Sequence, residues 1–194
     1  YKAAHPDGYQ YTQFCAHYTR WLATLDPVLR QEYRAGERVF LDYAGQTMPV
    51  VDPATGEIRP AQIFVAALGA SHYLYVEATW TQSLPDWIAA HVRMYEHFGG
   101  VPTLTIPDNA KAGVQHACFY EPVLNPTYQD LARHYATTIL PTRPAAPRDK
   151  AKAETGVQLV ERWVLAPLRN HVFFSLAELN AALATQCQAL NARP

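Results

Sequence analysis

The chain has 194 residues, 49% of them hydrophobic, 12% aromatic and 17% charged, with a formal net charge of −1. That length and apolar content suffice for one packed domain with a short appendage. The near-zero charge excludes a polycationic surface, so any basic residues that meet a polyanion must be clustered locally or come from elsewhere in a longer protein. No stretch approaches the roughly 20 apolar residues that span a bilayer, and no signal pattern opens the chain. Cys15, Cys118 and Cys187 are far apart and show no zinc-ligand spacing. A cytoplasmic protein with buried thiols is the expectation, and Tyr1 in first position reads as a fragment of a longer chain.

In residues 9–25, Tyr11, Phe14, Tyr18, Leu22 and Leu25 recur at three- and four-residue steps and predict an amphipathic helix. Asp26-Pro27 ends it, and residues 28–36 read as a short second helical piece and linker. Residues 1–36 are therefore expected to be the helical tail of an upstream domain, with Tyr9, Tyr11, Tyr18 and Trp21 packing onto it.

From Arg38 the pattern is β-rich. Arg38 to Tyr43 predicts a first strand, which Met48 to Val51 continues or follows. Asp52 to Glu57 is a turn by its Pro and Gly content. The apolar run Ala61–Leu68 predicts a central strand buried on both faces, and His72–Trp80 a third, giving an antiparallel meander. A helix then runs to Gly99-Gly100, with Ser83 as cap, Asp86 as its capping-box partner and Trp87, Ile88, Val92, Tyr95 and Phe98 on its apolar side. His91 and His97, six apart, do not share a face and make no zinc site. Thr103–Ile106 predicts a fourth strand and Thr137–Leu140 a fifth, with a helix from Asn125-Pro126 to about Tyr135 between them. Pro141–Pro147 is an extended loop. A long helix follows from about Asp149 to Leu165 with Ala153, Val157, Val160 and Val164 as its apolar stripe, and a last helix is capped by Ser175 and Glu178. Trp80, Trp87 and Trp163 are expected in the core.

Three acids stand out by position. Asp42 lies inside an apolar strand, Asp108 directly follows the fourth strand, and Glu154 lies in the first turns of the long helix. Singly, each is also an ordinary solvent-facing acid; the case rests on the three together in this order of elements. If the first and fourth strands are parallel neighbours, their carboxyl ends bring Asp42 and Asp108 together, and a helix alongside adds Glu154. Clustered carboxylates suit Mg²⁺, and two such ions activate an attacking oxygen and stabilise a leaving one in phosphodiester cleavage. Arg143, Arg148, Lys150 and Lys152, just before the third acid, and Lys111 are candidate phosphate contacts.

The segments Val39-Phe40-Leu41-Asp42-Tyr43-Ala44-Gly45, Ile106-Pro107-Asp108-Asn109-Ala110-Lys111 and Lys150-Ala151-Lys152-Ala153-Glu154 resemble the three motifs of the retroviral-integrase superfamily. More closely, they resemble the IstA-type DDE transposases of bacterial insertion sequences. The likeness covers residues 37 to 194, including the closing Leu190-Asn191-Ala192-Arg193-Pro194.

The resemblance implies an RNase H-like α/β fold, a mixed five-stranded sheet flanked by helices. It implies that Asp42, Asp108 and Glu154 hold two Mg²⁺ or Mn²⁺ ions for cleavage at transposon ends and transfer of the 3′-hydroxyl into target DNA. It further implies an upstream helix-turn-helix region, a dimer or larger assembly on DNA, an AAA+ ATPase partner of IstB type, and a bacterial, nucleoid-associated cytoplasmic setting. The interval from Asp108 to Glu154 is longer than in retroviral integrases, which makes Glu161, two turns on, the rival for the third acid; Lys150, one turn before Glu154, favours Glu154. The alternative functions are a retroelement integrase or nuclease of the same superfamily, and a non-catalytic DNA-binding or assembly module.

Overall fold

The structure, a computed structural model, describes residues 4–24, 32–107, 114–116, 123–142 and 147–193. The chain divides into two compact units, Tyr1–Glu32 and Tyr33–Pro194. The first is built on α1 (Tyr11–Thr24), where the rings of Phe14, Tyr18 and Trp21 succeed one another at 6.2 and 5.8 Å between centroids. The helical piece expected over 28–36 is absent among its described residues. Residues 32–34 are irregular and a turn follows at Gly36, whose φ of 71° is left-handed. Tertiary contacts override the local pattern there: the Tyr33 ring meets Phe40 edge-on at 5.6 Å, and the Gly36 carbonyl accepts from the Thr103 N–H at 3.0 Å.

The second unit runs β1 (Arg38–Tyr43), β2 (Met48–Val51), β3 (Ile58–Leu68), β4 (Leu74–Thr79), α2 (Leu84–Phe98), β5 (Leu104–Pro107), β6 (Val114–His116), β7 (Val123–Leu124), α3 (Pro126–His134), β8 (Thr138–Ile139), α4 (Pro147–Val160), a π-helical segment (Glu161–Leu165), α5 (Ala166–Leu168) and α6 (Leu176–Asn191). The main sheet has six strands in the order β2-β3-β1-β5-β8, with β4 also on β3. β1, β2 and β4 run antiparallel to β3, whereas β5 is parallel to both β1 and β8. The sheet is mixed, as expected, but has six strands rather than five. The chain leaves the ladder after β1 and rejoins β3 at Met48, so β2 is a strand of its own. The β6–β7 ladder was not anticipated, because pieces of three and two residues are too short to show an alternation.

The central run alternates strictly. Ala61, Ile63, Val65 and Ala67 of β3 pack with Val160, Val164, Leu179 and Leu183 of the C-terminal helices, while Phe64 and Ala66 pack with Trp87, Met94 and Tyr128 of α2 and α3. Burial on both faces is why this strand is continuously apolar.

Helix ends follow local chemistry, with one departure. Ser175 Oγ accepts from the Glu178 N–H at 3.1 Å, and Glu178 reaches back one residue past the cap to accept from the Phe174 N–H at 2.8 Å, a variant of the capping box at the start of α6. Ser83 stands at the N-cap of α2 but makes no side-chain cap bond. Its hydroxyl is taken by Thr81 at 2.7 Å, and Asp86 reaches back to the Thr81 N–H at 2.9 Å instead.

β4 would leave an open edge. α6 closes it with side chains: Asn180 accepts from the Ala78 N–H at 2.6 Å and donates to its carbonyl at 3.0 Å, and Asn191 treats Leu74 the same way at 2.9 and 2.8 Å. Two amides thus satisfy strand groups that would otherwise template pairing with another chain. This gives Asn191, in the closing Leu-Asn-Ala-Arg-Pro segment, a structural role.

His91 is fully buried beneath Trp87, with Nδ1 2.7 Å from the Trp87 carbonyl and Nε2 2.8 Å from the Tyr128 hydroxyl. It belongs to the core, which the spacing argument about zinc did not reveal. Burial pushes its pKa down to about 4 from 6.5. The unfolded chain therefore takes up this proton first. The stabilisation is complete above pH 6.5 and is lost as pH falls toward 4, by about 3 kcal/mol. Urea unfolding of wild type and His91→Gln across this window is expected to converge at low pH; parallel curves would show that His91 does not titrate on unfolding.

Candidate active site

β1 presents Val39 and Leu41 to the α2/α3 face and Phe40 to the other. Phe40 pairs in register with Ile106 of β5, and both pack against Ala153 of α4 as a small separate cluster. Asp42 is the next residue on Phe40's face by the two-residue period of a strand. It is half-buried, and its Oδ1 accepts from the Tyr43 N–H at 2.8 Å. Leu41 pairs with Pro107, so β5 delivers the chain beside Asp42 just before residue 108. α4 lies against β1 and β3, and Glu154, one residue past the buried Ala153, is exposed.

Small residues set how closely α4 approaches. A Cβ added at Gly156 would stand 3.2 Å from the Ala67 Cβ and 3.6 Å from the Leu74 Cδ2. Ala153 and Gly156 therefore let the helix backbone sit close to the sheet.

The other expected site residues divide. Asp108, Lys111 and Arg143 lie outside the described residues, as do the side chains of Arg148 and Lys150. Lys152 is described and turns inward: its Nζ bonds the His72 Nε2 and lies 5.3 Å from the Tyr33 ring centroid. Burial lowers the pKa of Lys152, and burial together with the Lys152 charge lowers that of His72. Neither Tyr33 nor His72 was legible as its partner, since nothing local links them across such sequence distances. Glu161 is half-buried at the start of the π-helical segment. Among the described residues no cluster of three His, Cys, Asp or Glu could hold a metal, and the second expected acid is not among them.

The tryptophans separate too. Trp87 is fully buried and Trp80 half-buried with the Arg59 guanidinium 4.2 Å over its ring. Trp163, expected in the core, is 38% exposed. At 100° per residue, position 163 lies well off the stripe of Val157, Val160 and Val164, and Pro167 has no N–H for the Trp163 carbonyl. The preceding turn is a π-turn, with the Ala166 N–H bonded to the Glu161 carbonyl; Val160, Val164 and Leu165 face inward and Trp163 faces out.

No protein-family model matches the chain. Relatives do. The chain is 52% identical over its whole length to a Pseudomonas fluorescens protein named "Putative transposase for insertion sequence IS1162", covering 35% of it. It is 50% identical, over 96% of its length, to the protein of the same description for IS408 from Burkholderia multivorans, covering 36% of it. The chain thus spans about a third of the length of these curated relatives. Among solved structures, the catalytic core domain of BIV integrase matches 82% of the chain and 86% of that domain at a TM-score of 0.55 and 12% identity. The simian T-cell lymphotropic virus intasome matches 84% of the chain and 58% of its own chain at 0.57 and 13%. Identities this low speak to the fold alone, an RNase H-like core of a mixed six-stranded sheet between helices. No helix among the described residues is long and apolar enough to cross a membrane. In sequence the chain is a homologue, along its entire length, of bacterial insertion-sequence transposases, and its fold is the RNase H-like one of integrase core domains.

Proposed function

We propose that this chain is the catalytic core of an IstA-type transposase that cuts at the ends of an insertion sequence and joins the freed 3′-hydroxyl to target DNA. Asp42, Asp108 and Glu154 are the proposed ligands of two Mg²⁺ or Mn²⁺ ions. The observation that carries the reading is the parallel register of β1 and β5, Leu41 beside Pro107, on a sheet face covered by the helix that bears Glu154. The two-residue alternation, carried one step past Ile106, would bring Asp108 to the same face as Asp42.

Asp42 and Glu154 offer only oxygen donors, the donor class that hard divalent cations take. Bound there, the ions would supply activation of the attacking oxygen and stabilisation of the leaving one. The protein's own part is positioning. Asp42 is set on a central strand with one oxygen held by the Tyr43 N–H, while Glu154 is exposed on α4. DNA ends and target, a homodimer, an AAA+ ATPase of IstB type and a cytoplasmic, nucleoid-associated setting complete the proposal.

The test uses the full-length protein with a labelled transposon-end duplex and a target duplex in Mg²⁺. Covalently joined products, abolished by chelator, are expected. Cuts without joining would assign a nuclease, and no cutting with intact DNA binding would assign a non-catalytic module.

A further inference from the structure

The exposed indole of Trp163 carries two guanidiniums. Arg193, from the end of α6, has its Cζ 4.3 Å from the ring centroid, and Arg162, the preceding residue on the helix, 5.4 Å. Both arginines are exposed, and among the described residues neither has a carboxylate partner. Two elements distant in sequence thus converge on one ring at the π-helical segment. A guanidinium stacked on an aromatic face keeps its planar N–H fork available, and that fork matches the oxygens of a phosphate. Held by the ring, it has less freedom to lose on binding than an unsupported arginine.

We propose that Arg162, Trp163 and Arg193 form a clamp for the phosphate backbone of DNA, separate from the basic loop before Glu154. The proposal rests on the reading of this chain as a DNA-joining core. Its position suits that reading. Eight residues beyond Glu154, at 3.6 residues per turn and 1.5 Å rise, Arg162 lies about 80° round the helix and roughly 12 Å along it. At 3.4 Å per base pair this is about three to four steps of duplex. DNA engaged at Glu154 and following the helix would reach the clamp within half a turn.

The experiment measures binding of the full-length protein to labelled duplexes of two unrelated sequences over a range of salt. Wild type is compared with R162Q/R193Q and with Trp163→Ala. The double variant is expected to bind both sequences more weakly, with a log–log salt slope reduced by up to about 1.8, since each phosphate contact contributes about 0.9. Trp163→Ala is expected to lower affinity with both charges retained, because the guanidiniums lose their support. Melting curves within a few degrees of wild type confirm the fold, and all three side chains are exposed enough to make this the expected outcome. An unchanged slope in the folded double variant overturns the clamp, as does a loss confined to one sequence, or a loss of self-association without a change in DNA binding. Wild-type protein that neither binds DNA with salt dependence nor joins it would instead overturn the underlying functional reading.

Discussion

Asp42→Asn is expected to abolish both end cleavage and strand transfer while leaving the fold intact. The amide keeps the shape of the side chain but removes the charge that a divalent cation requires, and it cannot replace a carboxylate ligand. A contribution of several kcal/mol to transition-state stabilisation corresponds to a rate loss on the order of a thousandfold or more. Asp108→Asn and Glu154→Gln are expected to be equally damaging, whereas Glu161→Gln, on a half-buried residue at the π-turn, is expected to keep most activity. Joining assays in Mg²⁺ and Mn²⁺, with melting curves for each variant, make the comparison. Near-normal joining by folded Asp42→Asn would remove the ligand assignment, and a damaged Glu161→Gln beside an active Glu154→Gln would move the third acid by two turns. A second readout is independent of turnover. A cation that binds only the folded chain stabilises it by about 2.7 kcal/mol at a hundredfold excess over its dissociation constant, so Mn²⁺ is expected to raise the melting temperature of wild type more than that of Asp42→Asn.

Gly156→Leu is expected to cost more activity than stability. Even a Cβ at this position would stand 3.2 Å from Ala67, so a larger side chain must push α4 off the sheet. Overpacking of this kind costs about 1–3 kcal/mol, a drop of several degrees in melting temperature for a domain of this size. The displaced helix carries Glu154, so joining at a temperature where the variant is fully folded is expected to fall at least tenfold, as a misplacement near 1 Å does in oriented reactions. Gly156→Ala combined with Ala67→Gly restores the space and is expected to recover both properties relative to Gly156→Ala alone; the coupling energy follows from the double-mutant cycle. A folded Gly156→Leu protein with normal joining would show that the close approach of α4 does not set the position of Glu154.

Where local chemistry is strong, element type was legible in the chain. The two-sided apolar run of β3, the Gly99 stop of α2, the Asn125-Pro126 start of α3 and the Ser175–Glu178 box of α6 each depend on residues within a turn of one another. The placing of Asp42 on an inner strand and of Glu154 on the helix beyond a Pro-rich stretch was legible for the same reason, and so was the resemblance that joins them. The parallel pairing of β1 with β5 was raised from the order of elements and is what the structure has, but its residue register was not legible, because it is set by contacts between segments more than sixty positions apart. It is this pairing, with α4 across it, that the functional reading rests on. Lys152 was equally opaque: as a charged residue in a basic run it reads as a phosphate contact, yet the fold gives it His72 and the Tyr33 ring.

The sequence by itself determined the order and kind of the elements, their caps and which residue types were available for chemistry, because propensity, periodicity and capping act over one or two turns. The tertiary structure alone decided that β2 stands as a separate sixth strand, that His91 is a neutral core residue, that α6 seals the β4 edge with Asn180 and Asn191, and that the exposed Trp163 ring meets Arg193. Each of these outcomes depends on which distant surfaces compete for the same space and the same hydrogen bonds, a contest that is settled only when the layers pack.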